Sequence, residues 1–578
     1  MPRDGKRLDR RNFLKAAGGA TVAATLAGCA GGGGEETPTA TETSTPGEET
    51  PTATETSTPG EETTVLTYSR GNGSGTLDPQ NTTSGEDVKV TNQVYDTPIG
   101  FKPGTTQLTQ GLAKSWNLSG TTATLTFREG VKFHNGDELT AGDFVATYRR
   151  FTDPDYEYYP GQGYTSAYAA FTLGSWIDTI STPSKYKVEM QLSQKYAPFL
   201  RNLAMFASSV LSETAIKNRG KGLQSHPVGT GPFQFVRWNT GNQRIRLEAN
   251  PDYWGEGPHV DEVLFTAITS NTSRAQTLVT GGADIIDGLG AQSSQIVENA
   301  SNSTLKSIPG INVGYMAMNM AVFEPFRDKK VRQAINYAIN TKAIVNTIYR
   351  GIAQQASQPI TEAVLGYNED IDPYPYDPEK ARSLLDEAGY TGDSRFGFEL
   401  STFQNPRTYN PSPIQAAQTV KSNLSEVGIE VTINQMPFNP FLSYTSSGKH
   451  DACFLGWMTD NADPDNFYYA LLHPQLPEED LPPEGQNWVD AWGDSDFNTL
   501  NVSAWAHSEY MQLVEEGQTT YDPKVRAQKY RQAAQIFHEQ APWVTIDHAK
   551  ALRGIRNNVQ NFVVAPISGP FLNRVTLG

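Results

Sequence analysis

The sequence predicts an α/β fold, and two observations in its second half carry that prediction. Apolar residues spaced at i, i+3, i+4 and i+7 alternate with short apolar or alternating runs, the pattern of helices crossing over between strands. Capping signals punctuate these stretches: Asp328 and Asp377-Pro378 open two helices, and Gly389 and Gly428 close two. Such alternation implies a mainly parallel or mixed sheet covered by helices. With 578 residues, the chain exceeds what one core organises, so two or more domains are expected.

The elements read in order. Val65-Leu66-Thr67-Tyr68 opens the body as a short strand, and further strands are expected at Ala123–Arg128 and Val131–Phe133. Turn signals cluster at Gly229-Thr230-Gly231-Pro232 and Asn250-Pro251-Asp252. Asp328 caps a helix whose inner face is Val331, Ala334, Ile335, Ala338 and Ile339. Asp377-Pro378 opens the next, with Ala381, Leu384, Leu385 and Ala388 inward and Gly389 beyond its end. Phe398–Phe403 reads as a strand. A helix over about 413–427 follows, with Ile414, Ala417, Val420, Leu424 and Val427 inward and Gly428 as terminator. Ile429, Val431 and Ile433 alternate as a strand, and Ala452–Trp457 is another.

Composition narrows the function. Hydrophobic residues make up 37% and aromatics 10%, a globular balance. No apolar run approaches the roughly 20 residues of a membrane-spanning helix. A net charge of −17 argues against sequence-independent nucleic-acid binding and suits solubility in high salt. That charge is uneven: residues 1–29 hold six bases against two acids, residues 30–64 hold eight Glu and no base, and the remainder holds 53 acids against 40 bases.

Residues 1–29 read as a targeting segment. Arg10-Arg11-Asn12-Phe13-Leu14-Lys15 before a short, weakly apolar run resembles a twin-arginine export signal. Leu26-Ala27-Gly28-Cys29 resembles a lipobox, which would place a lipid on Cys29 and hold the protein at the membrane surface. Residues 30–64 are low-complexity, with the 13 residues 36–48 repeated at 49–61, and read as an extended tether. With two Cys in all and Cys29 claimed by the lipid, Cys453 is expected as a buried strand residue and no disulfide framework forms.

No phosphate-binding loop, Gly-x-Ser-x-Gly or His-Glu-x-x-His occurs, and the eight His lack ligand spacing. No catalytic residue, metal or cofactor is therefore expected. In α/β sheets, ligands bind on the loops beyond the carboxyl ends of strands. Gln404–Pro411 follows one strand and carries Arg407 toward a helix start, where a guanidinium could clamp a carboxylate. A structural salt bridge is the alternative role for Arg407, and the residues alone leave both open. Met458–Asn466 follows the other strand, with Asp460 placed to meet a cation. A calcium loop there fails on spacing, because its sixth and twelfth positions would be Asn466 and Leu472. Turn capping is the expected role of Asp463 and Asp465.

From about 65 to 578 the chain resembles the family 5 extracytoplasmic solute-binding proteins of peptide-import ABC transporters. The motifs are ordered and many: Gly111-Leu112-Ala113-x-x-Trp116, Leu125-Thr126-Phe127-Arg128-x-Gly130-Val131-Lys132-Phe133-His134-x-Gly136, Leu139-Thr140-Ala141-x-Asp143, Pro227–Phe233, Asn250–Gly255, Val331-Arg332-Gln333-Ala334, Tyr376–Ala381 and Asp463–Phe467. Pro309–Tyr315 and Gly456-Trp457-x-x-Asp460-Asn461 resemble the dipeptide-binding branch.

The resemblance implies a two-lobed fold closing on a two-stranded hinge. Lobe I would take about 65–315, with a subdomain near 106–225, plus the return at 545–578, and lobe II 316–544. It also implies a site: Asp460 for a peptide α-ammonium, Arg407 for the α-carboxylate, and Gly456 and Trp457 for backbone pairing. Thr83, Ser84 and Gly85 would contact ligand from the opposite lobe. The implied protein is a lipid-anchored monomer outside the cytoplasmic membrane, handing a short peptide to an ABC permease. Oligopeptides, oligosaccharides, nickel complexes and heme are the other ligands of such a fold. Residues 474–507, with Trp488, Trp492 and Trp505, look like an added or altered loop after the binding motif that could reshape the side-chain pocket.

Overall fold

The computed structural model describes residues 63–578. Its centre is a 12-stranded mixed sheet with two halves. In one half, Val65–Arg70 lies between its parallel neighbours Glu262–Ala267 and Ile285–Ile286, and Arg244–Ala249 and Phe233–Asn239 extend the edge antiparallel. In the other, Phe396–Phe403 lies parallel to both Ile429–Met436 and Ala452–Met458, and Asn312–Met318 joins Ala452–Met458 antiparallel. A separate four-stranded antiparallel sheet is built from Ala113–Ser119, Thr122–Phe127, Lys187–Leu192 and Ile177–Ser184.

One strand belongs to both halves. Trp543–Arg556 pairs with Asn312–Met318 through its first residues and with Ser303–Pro309 through Lys550–Arg556. Two antiparallel stretches, 309–312 and 547–550, thus carry the chain between the halves side by side. A pair of short connections is the arrangement on which two bodies can hinge.

Helices form where the caps and apolar faces predict them. Asp328 accepts the Lys330 N–H at 2.7 Å and starts Lys329–Ala338, which buries Val331, Ala334, Ile335 and Ala338. Asp377 accepts from the Lys380 N–H at 2.9 Å, Pro378 takes the first turn, and Gly389 follows the helix at φ +90°. Pro413–Ser425 buries Ala416, Ala417, Val420 and Leu424, while Ile414 is only half-buried. Truncating such a buried Leu to Ala costs roughly 2–5 kcal/mol. Cys453 is buried and unpaired within its strand.

Two expectations change. Val131–Phe133 makes no strand: it turns back on itself through the Phe133 N–H to Asp137 carbonyl bond, with one isolated bridge between Lys132 and Glu138. Residues 474–507 do not border the strand ends that carry Arg407 and Asp460. Met320 donates its N–H to the Ser503 carbonyl, His450 meets the Val502 carbonyl, and the Trp492 indole reaches Asn319 at 3.3 Å. Those partners flank the Met318–Ala452 end of the two antiparallel strands, opposite Met458. The tryptophans are structural there: Trp505 is fully buried, and the Arg327 guanidinium lies 3.9 Å over the Trp488 ring.

Candidate functional site at the strand ends

Phe396–Phe403 and Ala452–Met458 run parallel but pair only at Leu400–Ala452 and Ser401–Cys453. The second strand continues five residues past that ladder, so the two diverge toward their carboxyl ends. Arg407 and Asp460 lie on the loops that follow, at this common end.

The loop holding Arg407 is pinned by its own backbone. Arg407 N–H donates to the Asn410 carbonyl at 2.9 Å, Asn410 N–H donates back at 3.0 Å, and the Tyr349 hydroxyl donates to Asn410 Oδ1 at 3.1 Å. The Arg407 guanidinium stacks 3.5 Å over the Phe438 ring. Its Nε is buried without a hydrogen-bond partner. Tyr409 lies against Gly456 so closely that a Cβ there would meet its ring at 2.2 Å. Burial pushes the Tyr409 phenol up to about 12.

Residues 459–465 wind through successive side-chain-capped turns. Ala462 N–H donates to Thr459 Oγ1 at 3.0 Å, Asp463 N–H to Asn461 Oδ1 at 2.9 Å, and Asp465 N–H to Asp463 Oδ1 at 3.0 Å. Asp463 so takes the capping role expected of it, and also forms a bidentate pair with Arg526. Asp460 is left out of this winding and half-buried, and its carboxylate accepts the Tyr168 hydroxyl. Burial pushes its carboxyl up to about 6, and the Tyr168 bond only partly offsets that.

Tyr168 approaches from residues that precede both stretches joining the half-sheets, its ring edge-on to Phe206 at 5.3 Å. Other bonds join the same sides. Arg201 donates to the Asn461 carbonyl at 3.2 Å, Asn461 Nδ2 to Asn202 Oδ1 at 3.0 Å, and the Tyr196 hydroxyl to Asp465 at 3.2 Å.

The remaining sequence candidates divide. Gly456 and Trp457 sit in the strand leading to Asp460, paired on one side with Gly314 and Val313. The Trp457 indole donates to Asn466 at 2.9 Å, which fixes its ring beside the loop. Thr83, Ser84 and Gly85 are exposed, and the structure does not bring them against Asp460 or Arg407. Ser84 caps the helix Gly85–Val94 by accepting from Glu86 N–H at 3.2 Å. Their link to the site is indirect: Val88 of that helix shares an apolar cluster with Phe206, on which Tyr168 packs. Arg10, Arg11 and Cys29 lie outside the described residues. Among the described residues, no three His, Cys, Asp or Glu side chains gather as metal ligands, and none of the helices is long and apolar enough to cross a membrane.

Sequence reasoning missed Tyr168, Tyr409 and Phe438. The one local signal was the tyrosine-rich run at 156–168, with Tyr156, Tyr158, Tyr159, Tyr164 and Tyr168. Aromatic clustering alone does not say which ring reaches a carboxylate.

Comparisons with known proteins bear on the family of the chain and on its fold. The model of the bacterial extracellular solute-binding proteins, family 5 Middle, matches residues 107–476. The dipeptide-binding protein of Escherichia coli K12 is 30% identical over 525 residues, 87% of this chain and 92% of that protein. Heme-binding protein A of Haemophilus influenzae is 31% identical over 490 residues, 82% of this chain and 85% of that protein. The ABC transporter-associated periplasmic binding protein DppA of Helicobacter pylori, solved with the peptide STSA, superposes with a TM-score of 0.73. It is 30% identical, and the match covers 89% of this chain and 98% of that one. The chain belongs to the bacterial extracellular solute-binding proteins of family 5.

Proposed function

We propose that this protein is a receptor outside the cell that captures dipeptides or similarly short peptides and delivers them to an ABC import permease. Asp460 takes the ligand's α-ammonium and Arg407 its α-carboxylate. One observation carries the reading: these opposite charges stand on loops at the shared carboxyl end of two parallel strands. There Asp460 is answered by a hydroxyl and not a cation, and Arg407 Nε is unbonded. A zwitterion supplies both missing charges at once. Fixing both ends by charge selects ligand length, while Gly456 and Trp457 offer backbone to the peptide. The exposed turn Thr83-Ser84-Gly85 belongs to this reading as the far rim.

The lobes of this reading are 65–315 with 545–578, carrying a subdomain at 106–225, against 316–544, and ligand favours their closed arrangement. Residues 1–29 export the chain through Arg10 and Arg11, Cys29 carries the lipid anchor, and 30–64 tether the body. The receptor works as a monomer.

Thermal unfolding with ligand tests the assignment. A ligand at about 100 times its Kd stabilises by roughly 2.7 kcal/mol. Free dipeptides should raise Tm, whereas the same dipeptides N-acetylated or C-amidated should not. A rise with heme and none with any dipeptide would keep the fold and remove the peptide.

A further inference from the structure

We propose that Asp547 closes one end of a ligand subsite, floored by Gly456 and Gly314, that takes the cationic side chain of a lysine or arginine in the bound peptide. The inference rests on the dipeptide reading and extends it to side-chain preference.

The three residues form a row across three strands. Gly314 is registered opposite Gly456 on one side and opposite Asp547 on the other. Directly opposed residues project to the same sheet face. The contacts agree. A Cβ on Gly314 would meet Asp547 Oδ1 at 2.3 Å and the Tyr409 carbonyl at 2.3 Å, and one on Gly456 would meet the Tyr409 ring. Glycine inside a strand weakens it, and here two in register leave a bare floor of the kind a close-approaching group requires. That floor is covered by Tyr409, two residues from Arg407.

Asp547 itself has 0% exposure, and neither carboxylate oxygen has a hydrogen-bond partner. Burying a carboxylate this way is costly unless something pairs with it. Its neighbour Tyr349 spends its hydroxyl on Asn410. Burial pushes the Asp547 carboxyl well above its ordinary range, with no cationic neighbour to draw it back. An ammonium or guanidinium entering along the floor, as the Tyr409 ring swings off Gly456 and its carbonyl lifts from Gly314, supplies the missing donor and charge together. Because the floor adjoins the Arg407 loop, the side chain placed there is that of the residue whose carboxylate Arg407 holds, the second of a dipeptide.

Titration calorimetry on the purified protein, with Ala-Lys against Ala-norleucine and Ala-Arg against Ala-citrulline, separates the outcomes. The cationic member of each pair should bind about tenfold tighter or more. In Asp547→Asn the preference should fall to within about threefold, with Ala-norleucine affinity retained. Equal affinity within both pairs in the unaltered protein overturns the subsite while the dipeptide reading stands, and needs no variant to fold. A preference that survives in Asp547→Asn also overturns it, by placing the selectivity elsewhere. Failure of every dipeptide to bind removes the dipeptide reading and the subsite with it.

Discussion

Tyr168 donates its hydroxyl to the carboxylate of Asp460, joining residues 292 positions apart across the candidate site. The bond satisfies a carboxylate without neutralising it. Burial still raises the Asp460 carboxyl to about 6, above the roughly 3.9 of an unfolded chain. Two pH dependences of opposite sign follow. A raised folded-state pKa makes the ligand-free protein more stable at low pH, and that contribution is lost as pH rises through about 6. Dipeptide affinity runs the other way, since an ammonium needs the ionised carboxylate, and should fall by up to about tenfold per pH unit below 6. Calorimetry from pH 4.5 to 7.5 reads the second effect and thermal melts the first. Asp460→Asn should abolish the affinity slope, reduce the stability slope by its own share, and weaken binding by roughly 2–5 kcal/mol at pH 7. Flat affinity across that range, with Asp460→Asn binding normally, would remove Asp460 from the site.

Arg407 is held by a ring and not by a carboxylate. The 3.5 Å stack on Phe438 orients the guanidinium without consuming its charge. Arg407→Ala should weaken free dipeptides by roughly 2–5 kcal/mol and leave C-amidated ones, already weak, unchanged. Arg407→Lys should recover only part of the loss, because a point charge neither stacks as well nor binds bidentately. Phe438→Leu should cost about 1 kcal/mol of affinity by loosening the guanidinium. Equal losses for free and amidated ligands in Arg407→Ala would mean that Arg407 supports the loop and does not touch the carboxylate.

Cys29 makes a prediction about location. A lipid there should keep the protein in the membrane fraction, at about 0.8 kcal/mol for each buried CH₂. Cys29→Ser should shift it to the soluble fraction with its peptide binding intact. A Cys29→Ser protein still found with the membrane would place the anchor elsewhere.

What the sequence reveals here is local. Asp328 and Asp377 cap helices because a side-chain acceptor meets a backbone donor two or three residues on, so spacing alone exposes them. Arg407 and Asp460 share one end because strand–loop–helix order plus parallel pairing puts both loops there. Tyr168 was hidden because nothing near residue 168 marks its partner. The 474–507 segment follows the binding motif in sequence, yet packs at the other end of the strands. Its tryptophans found apolar and hydrogen-bonding partners at Asn319, Arg327 and His450, which no periodicity encodes. The double membership of Trp543–Arg556 is equally non-local: a 14-residue strand in two half-sheets reads the same as a strand in one.

Behind the ligand loop, Asp463 and Arg526 form a bidentate pair at 2.6 and 2.8 Å, with side chains 0% and 6% exposed. Burial alone would raise the Asp463 carboxyl, but Arg526 outweighs it and holds it below the usual range. Two residues on, burial and then the Asp463 charge push Asp465 up to about 7. These neighbouring carboxylates therefore respond oppositely to pH. The Asp463 contribution is present above its unfolded pKa and lost as pH falls through its folded one. The Asp465 contribution is present at low pH and lost as pH rises through about 7. Asp463→Ala should cost roughly 3–5 kcal/mol in urea unfolding at pH 8, because it strands a buried guanidinium. Asp465→Asn should instead be near neutral at pH 5, where the carboxyl is already uncharged. At pH 8 it should stabilise by on the order of 1–2 kcal/mol. Its amide oxygen can still accept the Tyr196 hydroxyl that reaches Asp465 from across the site. Equal destabilisation by Asp465→Asn at both pH values would show that the second carboxylate is ionised throughout and is stabilised by Arg526 along with the first.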